Sequence, residues 1–351
     1  MMKQRGFILV ATLWVLAILT IAASFFALWT QRSLVIAQNL TADVHGEIAL
    51  QSTLATLLYL LSTQRFTIAG MTIPASEETE TIINQMILGE GSILPIGNEI
   101  ALDNTVYQGH GKVHFAIQDL SGLLGINIIS EAVLSRFLGL LGVAEDKQAA
   151  LADKLYDYID LDDLHRLNGA EKHHYEQRKL LPPPNQFLVY PGESYRILDW
   201  QQHQGLWRHH TLAQLSTTEF AASPNFNTAP KLVLQAAYNM DAQTAQRLIS
   251  LRHNQPFYTV NGVSQALGIY LNTDPLEASF FPSNFLRLSL WYEGASRMRQ
   301  IHLRLTHNAP EAKPWQIDHL LNLKLLNTYA EATPRATQID LFKSTLSAKT
   351  P

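Results

Sequence analysis

MMKQRGFILVATLWVLAILTIAASFFALWTQR, residues 1–32, holds a short basic leader and then an uncharged run, Phe7 to Gln31, of 25 residues. At about 1.5 Å of rise per helical residue the run reaches roughly 37 Å, more than the ~30 Å hydrocarbon core of a bilayer. Backbone polar groups in lipid must pair within their own segment, so the run is expected to be a transmembrane helix. Lys3 and Arg5 precede it with no acid beside them. That bias sets the N-terminus in the cytoplasm and the remainder of the chain across the membrane. A cleaved secretory signal has an apolar region of about 7–15 residues that ends at small residues. This run is longer, and Ala22-Ala23-Ser24 lies inside it. The Gly6-Phe7 junction lies in front of it, so a cut there would leave the apolar segment attached.

That junction resembles the prepilin-type leader of type IV pilins and type II secretion pseudopilins. The resemblance implies that a prepilin peptidase cuts after Gly6 and methylates the new amino group on Phe7. Most members of that family carry Glu as the fifth residue of the mature chain, where this sequence has Ala11. An unpaired carboxylate is costly in lipid, and in the family its partner is the N-terminal amine of a neighbouring subunit. A chain without it resembles the minor pseudopilin K, a filament-tip subunit.

Beyond the span, Ile36, Leu40, Val44 and Ile48 recur every four residues, and Leu50, Leu54, Leu57, Leu58 and Leu61 follow on nearby faces. The pattern predicts that the helix continues to about residue 61. Gly46 is the weak point, at a cost of about 1 kcal/mol in a helix interior. The full chain has 351 residues, a net charge of -4 and no cysteine. Disulfides and thiolate chemistry are therefore excluded. An acidic chain is a poor counterion for phosphate backbones, so no nucleic-acid partner is expected.

Residues 64–104 read as irregular, with the acidic EETE at 77–80. GKVHFAIQD, 111–119, alternates as a half-buried strand, with Thr105–Gln108 as its candidate hairpin partner. From 127 to about 282 the pattern is helical: Ser130 should cap a helix ending at Gly142, Asp146–Ile159 a second, and Thr228–Tyr238 with Asp241–Arg252 a helical pair. Strands return in NFLRLSLWYEG, 284–294, and MRQIHLRLT, 298–306, a hairpin turning at Gly294. His319–Asn327 is a further strand candidate. The fold class expected is α+β, a long N-terminal helix packed on an antiparallel sheet that is interrupted by a large α-helical insertion.

Three stretches in order resemble pseudopilin K specifically: Asp119-Leu120-Ser121-Gly122 with Ile126-Asn127-Ile128, LYDYIDLDDLHRLNGAEKHHY at 155–175, and NFNTAP at 225–230. The resemblance implies a pilin-like fold and this division: leader 1–6, transmembrane helix 7–31, first part of the pilin domain 32–126, helical insertion 127–282, closing strands 283–330 and a polar tail 331–351. It implies a periplasmic main domain on a single-pass anchor in the inner membrane. Its partners would be minor pseudopilins I and J, other pseudopilins and the prepilin peptidase.

Asp157, Asp160, Asp162, Asp163 and Glu171 form the strongest candidate site. Carboxylates held close repel one another unless a cation lies among them, and hard oxygen donors favour calcium. Asp160, Asp162 and Glu171 match positions 1, 3 and 12 of an EF-hand loop, but Leu164 and His165 break that pattern. The resemblance to pseudopilin K also implies calcium here. Where the family has further acids after Glu171, this chain has Lys172, His173 and His174. His165, His173, His174, His203, His209 and His210 crowd one region without Cys or H-E-x-x-H, which reads as surface histidine. Gly192-Glu193-Ser194 lacks the second glycine of a nucleophile elbow. No enzyme is expected.

Residues 225–263 resemble a helix-hairpin-helix or SAM-like unit, but the hairpin Tyr238-Asn239-Met240-Asp241 has no glycine to approach a phosphate and carries an acid. The function implied is a minor pseudopilin that caps and initiates the type II secretion pseudopilus and supports export of folded proteins across the outer membrane. The alternatives are a DNA-uptake pilin using the helical pair and a membrane-anchored hydrolase.

Overall fold

A computed structural model describes residues 7–73, 93–220, 223–306, 313–337 and 342. The leader 1–6, EETE at 77–80 and most of the tail lie outside the described residues. One unbroken helix, α1, runs Phe7–Thr63, about 85 Å at 1.5 Å per residue. Among the described residues it is the one helix long and apolar enough to cross a membrane, and nothing in its most apolar window is buried by the protein.

The lower part of α1 packs on a sheet. Leu57, Leu60 and Leu61 are buried in one cluster with Phe115, Ile117, Leu286, Leu288, Leu290, Ile301 and Leu303. Burial of each such side chain is worth about 1.5–3 kcal/mol. Gly46 faces the ring of Tyr292, where a Cβ would make ordinary contact at 3.6 Å, so the packing there does not itself require glycine. One residue on, Glu47 accepts two bonds from Arg299 (3.0 and 3.2 Å). The close approach that does require glycine is at Gly109, where a Cβ would stand 2.6 Å from Cγ2 of Thr53.

The sheet is antiparallel, with β1 (Asp103–Gln108), β2 (Val113–Asp119), β3 (Phe285–Tyr292), β4 (Arg297–Leu305) and β5 (Trp315–Lys324) in that spatial order. β2 and β3 are adjacent in the sheet, Phe115 opposite Leu290 and Ile117 opposite Leu288, although about 165 residues of chain separate them. Between them come α2 (Glu131–Leu140), α3 (Glu145–Ile159), α4 (Lys172–Gln177), α5 (Lys231–Tyr238), α6 (Ala242–Arg252) and α7 (Val260–Leu267). These helices have their own core around Phe137, Leu155, Trp200, Phe226 and Leu248. The class is α+β, as expected.

Three local expectations shift. Ser130 precedes α2 with extended dihedrals but makes no side-chain cap bond. α5 starts at Lys231 rather than Thr228, because Asn225 and Thr228 are engaged elsewhere. The last strand is Trp315–Lys324 rather than His319–Asn327. A larger difference concerns β2, β3 and the middle of β4, which are buried on both faces rather than half-buried. Gln118, Arg287, Ser289 and Gln300 are all at or below 1% exposure, because the helical block covers the sheet face opposite α1. Arg287 donates to the carbonyls of Ala213 and Gln214 at 3.2 Å, and Gln118 donates to the carbonyl of Thr228 at 3.1 Å.

Candidate metal centre

α3 delivers Asp157, and Asp160 follows directly as the cap residue beyond its last turn; the chain then loops out and returns to Glu171, the residue that precedes α4. Carboxylate oxygens of Asp157, Asp160 and Glu171 lie within 4.8 Å of one another, the one such group among the described residues. Asp157 is fully buried and Glu171 is 1% exposed. The backbone N–H of Arg166 donates to both oxygens of Asp157, at 3.2 and 3.1 Å. Gly169 leaves the space this carboxylate fills.

The carboxylate oxygens are not all satisfied by protein donors. Both oxygens of Glu171 and Oδ1 of Asp160 are buried and accept no hydrogen bond. Burial, followed by the charges of Asp157, Asp160, Asp163 and Asp162, raises the Glu171 carboxyl to about 7. Asp157 is raised by burial, and Asp160 by burial and then by the charges of Asp162 and Asp157. Arg166 approaches Asp157 from one side, Nε to Oδ1 at 3.7 Å, and does not neutralise three carboxylates. A buried set of unpaired oxygens is costly. It fits a hard divalent cation with oxygen preference, which would take up the repulsion and the unused lone pairs.

The five acids singled out from the sequence therefore divide. Asp157, Asp160 and Glu171 converge. Asp162 and Asp163 stand outside the group on the exposed loop, where Asp162 accepts from the N–H of Leu164 and Asp163 from the amide of Asn185. Gly6 lies outside the described residues, and Phe7 begins α1. Of the histidines that crowd one region of the sequence and read as surface residues, His165, His173 and His174 come together, with ring centroids 3.7 to 6.0 Å apart. The Ser194 hydroxyl is fully buried and donates to the carbonyl of Pro191, which leaves it no path to act as a nucleophile.

A second cluster explains the other two motifs. Asp119, at the end of β2, is fully buried. Oδ2 accepts from the hydroxyl of Ser121, the amide of Asn225 and the hydroxyl of Thr228; Oδ1 accepts from the N–H of Ser121 and from both the N–H and hydroxyl of Ser283. One carboxylate thus ties together the exit from the sheet, a turn in the middle of the insertion and the re-entry into β3. Gly122 lets that turn come close, since a Cβ there would lie 2.5 Å from Oγ1 of Thr228. The sequence displayed these residues as motifs a hundred positions apart, with no sign that they share one carboxylate.

Residues 115–204, from β2 through the carboxylate cluster, match the family described as type II secretion system (T2SS), protein K. This is the family that the leader and internal motifs resemble. Among solved structures, a chain of the GspK-GspI-GspJ complex from the enterotoxigenic Escherichia coli type 2 secretion system is similar at 14% identity. The similarity covers 63% of this chain and 84% of that one, with a TM-score of 0.44. A search of curated proteins gave no match.

Proposed function

We propose that this chain, whose residues 115–204 match the family described as type II secretion system (T2SS), protein K, works as a minor pseudopilin at the tip of the pseudopilus. There it would initiate assembly and support export of folded proteins across the outer membrane. The observation that carries this reading is the family match combined with the position of the insertion. A thick helical block lies on the sheet face opposite α1 and would obstruct a further subunit stacked on that head, so the end of a filament is its natural place. α1 supports the same reading. From Leu9 to Ile48 it exposes large apolar residues beyond as well as within the span, among them Ile36, Leu40, Val44 and Ile48, the surface a helix needs to pack beside other subunits' helices.

Minor pseudopilins I and J are the proposed partners, with the prepilin peptidase acting at Gly6-Phe7 and methylating Phe7. The chain would be anchored once in the inner membrane with its main domain in the periplasm. Calcium is the proposed ion for Asp157, Asp160 and Glu171. Its role would be to fix the loop 160–171 to the end of α3, with no part in any reaction. Co-expression with minor pseudopilins I and J tests the assignment: the three should co-purify as one complex from detergent extracts. Recovery of this chain alone under conditions where I and J bind each other would overturn it.

A further inference from the structure

We propose that His165 and His173 form a second metal site, for a borderline transition-metal ion of the copper(II), nickel(II) or zinc class, beside the carboxylate centre and separate from it. The argument starts from proton positions. Nδ1 of His165 lies 3.0 Å from the carbonyl of Arg166. A carbonyl only accepts, so in the neutral ring Nδ1 carries the proton and Nε2 presents a lone pair. Metal-binding histidines adopt this arrangement, with one ring nitrogen on the ion and the other donating to a carbonyl that orients the ring.

His174 is held in the opposite tautomer. Its Nδ1 accepts the N–H of Glu171 at 3.1 Å, so its own lone pair is used and Nε2 carries the proton. It is a wall rather than a ligand. Its ring lies against His173 at 3.7 Å between centroids and meets His165 edge-on at 5.4 Å. The two rings it braces, His165 and His173, have centroids 6.0 Å apart. Two imidazoles on one ion, each with a metal–nitrogen distance of about 2.0–2.1 Å, place their centroids roughly 5–6 Å apart. Both side chains are exposed, so water can complete the coordination. Imidazole nitrogen selects copper, nickel and zinc, whereas calcium takes oxygen. The acids Asp157, Asp160 and Glu171, at the two ends of the loop that carries His165, add a negative potential that favours any cation here.

The test is calorimetric titration of zinc and copper(II) into the full-length chain in detergent with millimolar calcium present throughout. One ion per chain should bind, His165→Ala and His173→Ala should each weaken it by about tenfold or more, and Asp160→Asn should leave it in place. Copper(II) spin resonance should report two nitrogen ligands, falling to one in either histidine variant. The proposal is overturned if wild type binds neither ion, or if both alanine variants bind as wild type, which would put the ion on others of the 13 histidines. Competitive displacement of zinc by calcium would also overturn it, because the ion would then sit among the carboxylates.

Discussion

A Cβ on Gly169 would stand 1.8 Å from Oδ2 of Asp157: the bend in the loop and the buried carboxylate share a space that one methyl group would close. Gly169→Ala must therefore move Asp157 away from Asp160 and Glu171 or distort the loop. The expected result is a loss of calcium affinity of about tenfold or more with the rest of the fold intact, since the displaced ligand is one of three. Calcium titration of the purified variant beside wild type measures it, and unchanged affinity would remove Asp157 from the proposed ligand set.

Calcium should raise the melting temperature. A ligand held only by the folded state stabilises it by about 2.7 kcal/mol at a hundredfold excess over Kd. The pH dependence has a definite sign. Glu171 is raised from its ordinary value of 4.5 to about 7, so without metal the folded protein holds a proton that the unfolded chain has released. Stability from this group is fully present below about pH 4.5 and is lost as pH rises through 7. Thermal scans in chelator should show a falling melting temperature from pH 5 to pH 8, and millimolar calcium should flatten or reverse that trend. Identical profiles with and without calcium would count against the site.

Asp119→Asn should be among the most damaging single substitutions. It keeps the volume but removes the charge and turns an NH2 group toward donors supplied by Ser121, Asn225, Thr228 and Ser283. A buried acceptor with this many partners is expected to cost about 3 kcal/mol or more when converted. Urea unfolding reads it directly, and a loss below about 1 kcal/mol would show that the junction is held by other contacts, such as Asp103 with Arg252 at 3.3 Å.

Glu47 and Arg299 provide the contrast. Their pairing is bidentate, and the hydrogen bonds from Arg299 and then from Gln51 hold Glu47 below the usual carboxylate range. Nevertheless the Glu47 side chain is 48% exposed. A double-mutant cycle should return about 0.5–1 kcal/mol, reduced further by salt. A coupling several times larger would mean that the pair, rather than the leucines above it, fixes the helix on the sheet.

The sequence carried the long helix openly, because a run without charge and a four-residue apolar spacing are both local signals. The strands 285–292 and 297–305 were legible for the same reason. What could not be read was their second face: Arg287, Ser289 and Gln300 look like solvent-facing residues by alternation and become buried only because residues far along the chain fold over them. The same limit governed the candidate metal centre. Asp157, Asp160 and Glu171 stood out by composition beside Asp162 and Asp163, but the path of the loop decides which oxygens converge. The histidines resembled ordinary surface residues, and ring contacts between His165 and His173 depend on α4 turning back toward the loop.

Identification of the first residue of the membrane-extracted protein, by intact mass and N-terminal sequencing in cells with and without the prepilin peptidase, tests the central claim most directly. The account predicts a chain beginning at N-methylated Phe7 and retained in the membrane when the peptidase is present, and one beginning in the leader when it is absent. A chain that begins at Met1 in peptidase-containing cells, or one that has lost residues 7–31 and is recovered in the soluble fraction, would contradict it.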